Sequence, residues 1–130
     1  MQTCPCGNEL PFFKCCGAIH TNEKNAETAE ELMRSRYSAF VLADWDYLMK
    51  SHASQTRDES SKEETVNWAK SVKWIKLEIL DTLKGNQHDN SGIVEFKAHV
   101  KQGLFKRCIH ERSNFIKENG KWVYLNGAHF

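Results

Sequence analysis

The chain has no basic leader followed by an apolar stretch, and no apolar run near the roughly 18 residues a membrane span requires. Its opening, MQTCPCGNEL, is polar and thiol-rich instead. One-sided charge is missing too: 18 Lys and Arg against 17 Asp and Glu leave a formal charge of +1. That balance gives no general reason for nucleic acid or an anionic membrane to be the partner. No nucleophile elbow, P-loop or dinucleotide fingerprint occurs, so the commonest catalytic signatures are excluded. These absences lead us to expect a soluble, cytoplasmic protein. With 130 residues, 40% of them hydrophobic and 27% charged, the chain has material for one core and not for two.

Past residue 16 cysteine is nearly absent. Cys108 stands alone there and reads as a small core hydrophobe. The other four of the five cysteines crowd into CPCGNELPFFKCCG, Cys4 to Gly17. In a reducing compartment, clustered thiols point to metal or catalysis rather than disulfides, and an odd total fits no complete disulfide framework. Two thiolates one residue apart can grip a single ion if the backbone turns tightly between them. Pro5 fixes its own φ and Gly7 permits the positive φ such a turn uses. The loop GNELPFFK then lets Cys15 and Cys16 return to complete a tetrahedron. Four sulfurs with no open position describe a structural zinc site, not a catalytic one. His20 is a spare ligand, which leaves Cys3His open beside Cys4, and Lys14 would offset surplus thiolate charge. The competing reading is redox chemistry or reduced, unliganded thiols in a floppy N-terminus; a disulfide between the neighbours Cys15 and Cys16, or one closing the very small ring from Cys4 to Cys6, would be strained.

The metal matters for shape. Leu10, Phe12, Phe13 and Ile19 are the whole local core of residues 1–20, too little to offset the ordering entropy. A structural zinc can contribute on the order of 10–16 kcal/mol. Two adjacent phenylalanines in a metal-closed loop cannot both be buried by so short a segment. Leu10, Phe12 and Phe13, with Pro11 among them, are therefore the candidates for contact with a protein partner.

CPCG…KCCG resembles the SEC-C motif, the zinc knuckle at the C-terminus of the translocation ATPase SecA. The resemblance implies Cys4, Cys6, Cys15 and Cys16 as ligands, and a docking surface for a chaperone partner. The chain departs from the usual Ser-Gly after CPCG with Asn8-Glu9.

Beyond Gly17, AIHTNEKNAE reads as a polar linker. Ala29, Met33, Arg36/Tyr37, Phe40 and Val41 then recur at helical spacing, with Thr28 and Glu31 placed as a capping box. Arg36 sits at the edge of this stripe, and Arg34 is expected to face solvent. Trp45, Leu48 and Met49 continue as a short helix, HASQTRDESSKEE breaks it, and a third helix covers roughly 63–71. The second half changes period. WIKLEIL, GIVEFKAHV, LFKRCIHERSNFI and KWVYL are strand-like and separated by turn signals. Helices followed by four strands predict an α+β fold, an antiparallel sheet with helices on one face.

Alternation in the third strand puts Ile109, Glu111, Ser113 and Phe115 toward the helices. His99 and His110 fall on the solvated face. Lys97, Lys101, Lys106 and Arg107 read as a solvated hairpin edge. Buried Glu111 needs a partner, and Arg36 is the candidate. A general base and a structural ion pair both remain open for it. Arg36, Tyr37, Glu111 and Ser113 are thus the candidates for a pocket, with Tyr124, Asp44, His52 and Arg57 near its mouth.

MRSRYSAFV…DYL, Trp74, E-x-S-x-F at 111–115 and GKWVYLNG resemble the YchJ-like bacterial proteins, many of which carry SEC-C knuckles. The resemblance implies a nuclear-transport-factor-two-like (cystatin-like) cone over residues 26–130, a curved sheet round a long helix, behind a knuckle in residues 1–20. The functional expectation is a non-enzymatic, zinc-dependent interaction module linked to protein export, chaperones or the ribosome. The alternative is a small-molecule-binding protein or enzyme using the cone around Glu111 and Arg36.

Overall fold

The computed structural model describes residues 3–130; residues 1 and 2, the start of the expected knuckle segment, lie outside the described part. Four helices, α1 (Cys16–His20), α2 (Ala29–Leu42), α3 (Trp45–Lys50) and α4 (Lys62–Ser71), precede four strands. The strands, β1 (Lys73–Lys84), β2 (Ser91–Gln102), β3 (Phe105–Glu118) and β4 (Lys121–His129), form one antiparallel meander in the order β1-β2-β3-β4. The α+β expectation holds.

Local chemistry sets the boundaries. Thr28 caps α2 by accepting from the Glu31 N–H at 3.1 Å, and Ala43 ends the helix in the left-handed region at φ 54°. Asp44 at once caps α3 through the Tyr47 N–H. Asn119 and Gly120, at φ 54° and 78°, make the two-residue turn of the β3–β4 hairpin. The register slips at Trp74/Lys76, Ile79/Asp81 and Asn114/Phe115. Each irregularity bends its strand and increases the twist, so the sheet can close round a helix.

That helix is α2. Ala29, Leu32, Met33 and Tyr37 pack against Val94, Phe96, Ala98, Phe115 and Trp122 of the inner sheet face. A second cluster, Ile19, Ala39, Tyr47 and Leu48, lies on its other side. The apolar stripe read from the sequence is therefore only half of what α2 buries. The sheet covers one face, and α1 with α3 covers another. AIHTNEKNAE is accordingly no linker from its start, because Ala18 and Ile19 are buried in α1. The outer sheet face is polar and paired. His99 meets Glu78, while His110 and Arg112 both meet Glu95. The expectation for His99 and His110 is met. Cys108 contradicts its expectation: it is exposed, because alternation turns it outward with His110.

Candidate functional site

The knuckle is organised by backbone before any metal is considered. The Cys4 N–H donates to the Leu10 carbonyl at 2.8 Å and the Gly7 N–H returns to the Cys4 carbonyl, while Thr3 bridges Pro11. Gly7 takes φ 99°, which a side chain would resist. A 3-10 turn at Phe12–Lys14 then delivers Cys15 and the start of α1 to the same point. All four cysteines are buried, and their Sγ atoms lie within 4.8 Å of one another. A tetrahedral ion with metal–sulfur bonds of about 2.3 Å would set its sulfurs roughly 3.8 Å apart. Cys6 and Cys15 stand 3.7 Å apart. The donor set fits a closed, four-sulfur metal site, in which the ion would act as a cross-link.

The electrostatics of the bare cluster point the same way. Hydrogen bonding from Cys16 above all holds the Cys6 thiol down at about 5. Cys16 is pushed up by that same bond and by burial, and Cys15 is raised by burial first. Buried sulfurs this close favour one thiolate while keeping neighbouring protons on, unless a cation neutralises them. Asn8, at the position where the chain departs from the usual knuckle sequence, donates its side-chain N–H to Cys15 Sγ at 3.4 Å. His20 is not a ligand. Its Nε2 lies 2.7 Å from the Ser35 carbonyl oxygen, and its ring stacks on Tyr47.

The knuckle is docked on α2. Arg34 donates to the Cys6 carbonyl at 2.6 Å and to Glu30 at 2.9 Å, and Cys4 Sγ approaches Ser38 Oγ at 3.6 Å. The expectation that Arg34 faces solvent fails, because the helix face away from the sheet is occupied by the knuckle. Leu10 and Phe13 project outward, 49% and 61% exposed. Phe12 instead turns in, packing on the cysteines and edge-on to His20.

The second constellation lies on the sheet side of α2. Glu111 is 8% exposed and Ser113 fully buried, and Ser113 donates to the Glu111 Oε2. The Tyr124 hydroxyl donates to that same oxygen at 3.1 Å, and His129 Nε2 stands 3.2 Å from Oε1. Arg36 does not touch Glu111. Its guanidinium donates to the Leu48 carbonyl and Ser51 Oγ and lies 4.7 Å over the Tyr124 ring. Tyr124 thus stands between the two charges the sequence pairs. Burial lowers the Arg36 pKa to about 10, still fully cationic at neutral pH. His52, edge-on to Tyr124, is held neutral with its pKa down at about 4, first by burial and then by Arg36 and Arg57. Asp44 serves as the α3 cap.

Gly127, opposite Ser113 on β4, was not singled out by sequence and neither was His129. A Cβ on Gly127 would collide with the Glu111 carboxylate, meeting Cδ at 2.8 Å and Cγ at 3.0 Å. The glycine is the space in which the carboxylate lies. Beside it opens a cavity of about 160 Å³, lined by Tyr37, Phe40, Trp68, Trp74, Glu111 and His129 among others. Of the four pocket candidates, Arg36, Glu111 and Ser113 belong to one network through Tyr124, while Tyr37 shares only the cavity wall with Glu111.

Comparison with known proteins matches this architecture. Residues 28–127 fit the family described as YchJ, middle NTF2-like domain. A UPF0225 protein of Vibrio parahaemolyticus is 40% identical, over 98% of this chain and 75% of its own length. Another, of Streptomyces coelicolor, is 40% identical over 95% of this chain and 93% of its own. A SEC-C motif containing protein from Rhodopseudomonas palustris superposes with a TM-score of 0.88 at 30% identity, covering 99% of both chains. A sec-c motif containing protein from Psychrobacter arcticus gives 0.82 at 32%, over 97% of this chain and 81% of that one. No helix among the described residues is long and apolar enough to cross a membrane. The family-model match over residues 28–127, the 40% identity to UPF0225 proteins over nearly the whole chain and the likeness to SEC-C motif containing structures make this chain a member of the YchJ-like UPF0225 family of SEC-C motif proteins.

Proposed function

We propose that the protein is a zinc-dependent interaction module whose knuckle presents Leu10 and Phe13 to a protein partner. The observation that carries this reading is the exposure of two large apolar side chains on a segment whose backbone is fixed at both ends. Leu10 accepts the Cys4 N–H through its carbonyl, and Phe13 lies in the turn leading to Cys15. Pre-ordered apolar anchors lose little conformational freedom on binding, which suits them to be hot spots. Four thiolates with no open position favour zinc over harder ions, and for the cross-linking role no redox chemistry is needed. The SEC-C resemblance favours a partner in protein export, a chaperone or the ribosome.

Phe12 is excluded from the contact surface by its inward packing, which separates binding from folding in the test. The Leu10→Ser/Phe13→Ser protein should keep one equivalent of zinc and its melting temperature, yet lose the partners the wild type retains from a lysate of its own source. Recovery of the same partners by the double variant, with zinc intact, would sink the reading.

A further inference from the structure

The cavity beside Glu111 takes no part in the knuckle, since no residue before Met33 lines it. It exists because a small side chain stands among larger ones. Ala98 on β2 faces Leu77 of β1 and Ile109 of β3 in register, leaving space under α2 and α4. At about 160 Å³ it is close to the roughly 150 Å³ apolar cavity that accepts benzene in an engineered protein. Its wall is strongly aromatic, with Trp74 packed edge-to-face with both Tyr37 and Trp68. No Lys or Arg lines it. Glu111 is the carboxylate on its wall and His129 the basic group.

We infer that this cavity binds a small organic cation, an apolar body about the size of a benzene ring carrying one ammonium group that donates to Glu111. Three observations carry it. The carboxylate is pre-positioned, because Ser113 and Tyr124 tie down Oε2 and Gly127 leaves it room. The other oxygen, Oε1, is met by His129, whose side chain is 68% exposed. An ammonium arriving from the cavity can therefore take Oε1 by displacing a surface contact alone. The aromatic wall then supplies a negative potential that favours a cation over an anion or a neutral isostere.

The test compares benzylammonium with benzyl alcohol, which share a skeleton and differ in charge, on the zinc-loaded full chain. Binding is read by calorimetry and by tryptophan fluorescence, to which Trp68 and Trp74 report. Benzylammonium should bind at least about tenfold more tightly, a difference of about 1.4 kcal/mol. Glu111→Gln should erase that preference, bringing benzylammonium down to about the affinity of the alcohol in the same variant. Ala98→Val, which fills the cavity without touching the carboxylate network, should weaken both compounds and keeps the location testable if the Glu111 variant misfolds. Equal affinity for the two compounds, a preference that survives Glu111→Gln, or failure of benzylammonium to bind at about 10 mM would overturn the assignment.

Discussion

Gly127→Ala is a one-carbon change on an exposed strand residue, where such changes are usually nearly neutral. Gly127 needs no left-handed conformation, so alanine fits the backbone and should add about 0.5–1 kcal/mol by reducing unfolded-chain entropy. Against this stands the collision with Glu111, whose Cδ and Cγ would lie 2.8 and 3.0 Å from the new methyl. A carboxylate is the far end of a flexible side chain and on an open surface would swing aside at little loss. Here it is buried and held by Ser113, Tyr124 and His129. Moving it breaks hydrogen bonds to a charged group worth roughly 1.5–3 kcal/mol each. The net expectation is destabilisation by about 2 kcal/mol, or roughly 6–8 °C in Tm for a chain of this length. Urea and thermal unfolding of a double-mutant cycle isolate the cause. With Glu111→Ala as background, the same Gly127→Ala change should become neutral or slightly stabilising. Equal effects in the two backgrounds, or no effect in either, would show that the glycine does not house the carboxylate.

Three other outcomes follow from the knuckle. Arg34→Met keeps the aliphatic stem but loses the bond to the Cys6 carbonyl. It should lower stability by roughly 1–2 kcal/mol and speed hydrogen exchange at the Cys4 and Gly7 amides while leaving the sheet amides protected; unchanged exchange would mean the knuckle is not held by this contact. Metal release should be steeply acid-dependent. With Cys15 and Cys16 raised, the bare cluster holds protons at neutral pH that an ion must displace, so apparent affinity should fall about 100-fold per unit drop in pH. A competition titration with a chromogenic chelator giving a slope below one proton would refute this. In metal-loaded protein, maleimide should label Cys108 alone among the five cysteines, because it is exposed and the others are buried. Mass spectrometry should show the remaining four labelled only after chelation.

What the sequence carries plainly is periodicity and ligand chemistry. Two-residue alternation is enough to place Glu111 and Ser113 inward, and sulfur spacing is enough to nominate the four ligands. Both are local properties. Arg34 is misread because which side of a helix is covered depends on what docks there, and a single helix cannot report that; Cys108 is misread because residue type outweighs the alternation that turns it outward with His110. The neighbourhood of Glu111 fails differently. A regular hairpin growing from the Asn119-Gly120 turn would set Ala128 opposite Glu111, with Gly127 beside Arg112 on the outer face. The register keeps to that pattern as far as Phe115↔Tyr124, then slips so that Asn114 meets Asn126 and Leu125 is left as the extra residue. The Leu125 carbonyl accepts from Thr56 Oγ1 at 2.7 Å, and the segment around His52 bridges Tyr124. One bulge, pinned by a loop about seventy positions upstream, therefore moves both Gly127 and His129 by a full face of the strand. The carboxylate gains its space and its imidazole neighbour from the same slip, which is why no pairing rule applied to residues 105–130 alone finds either.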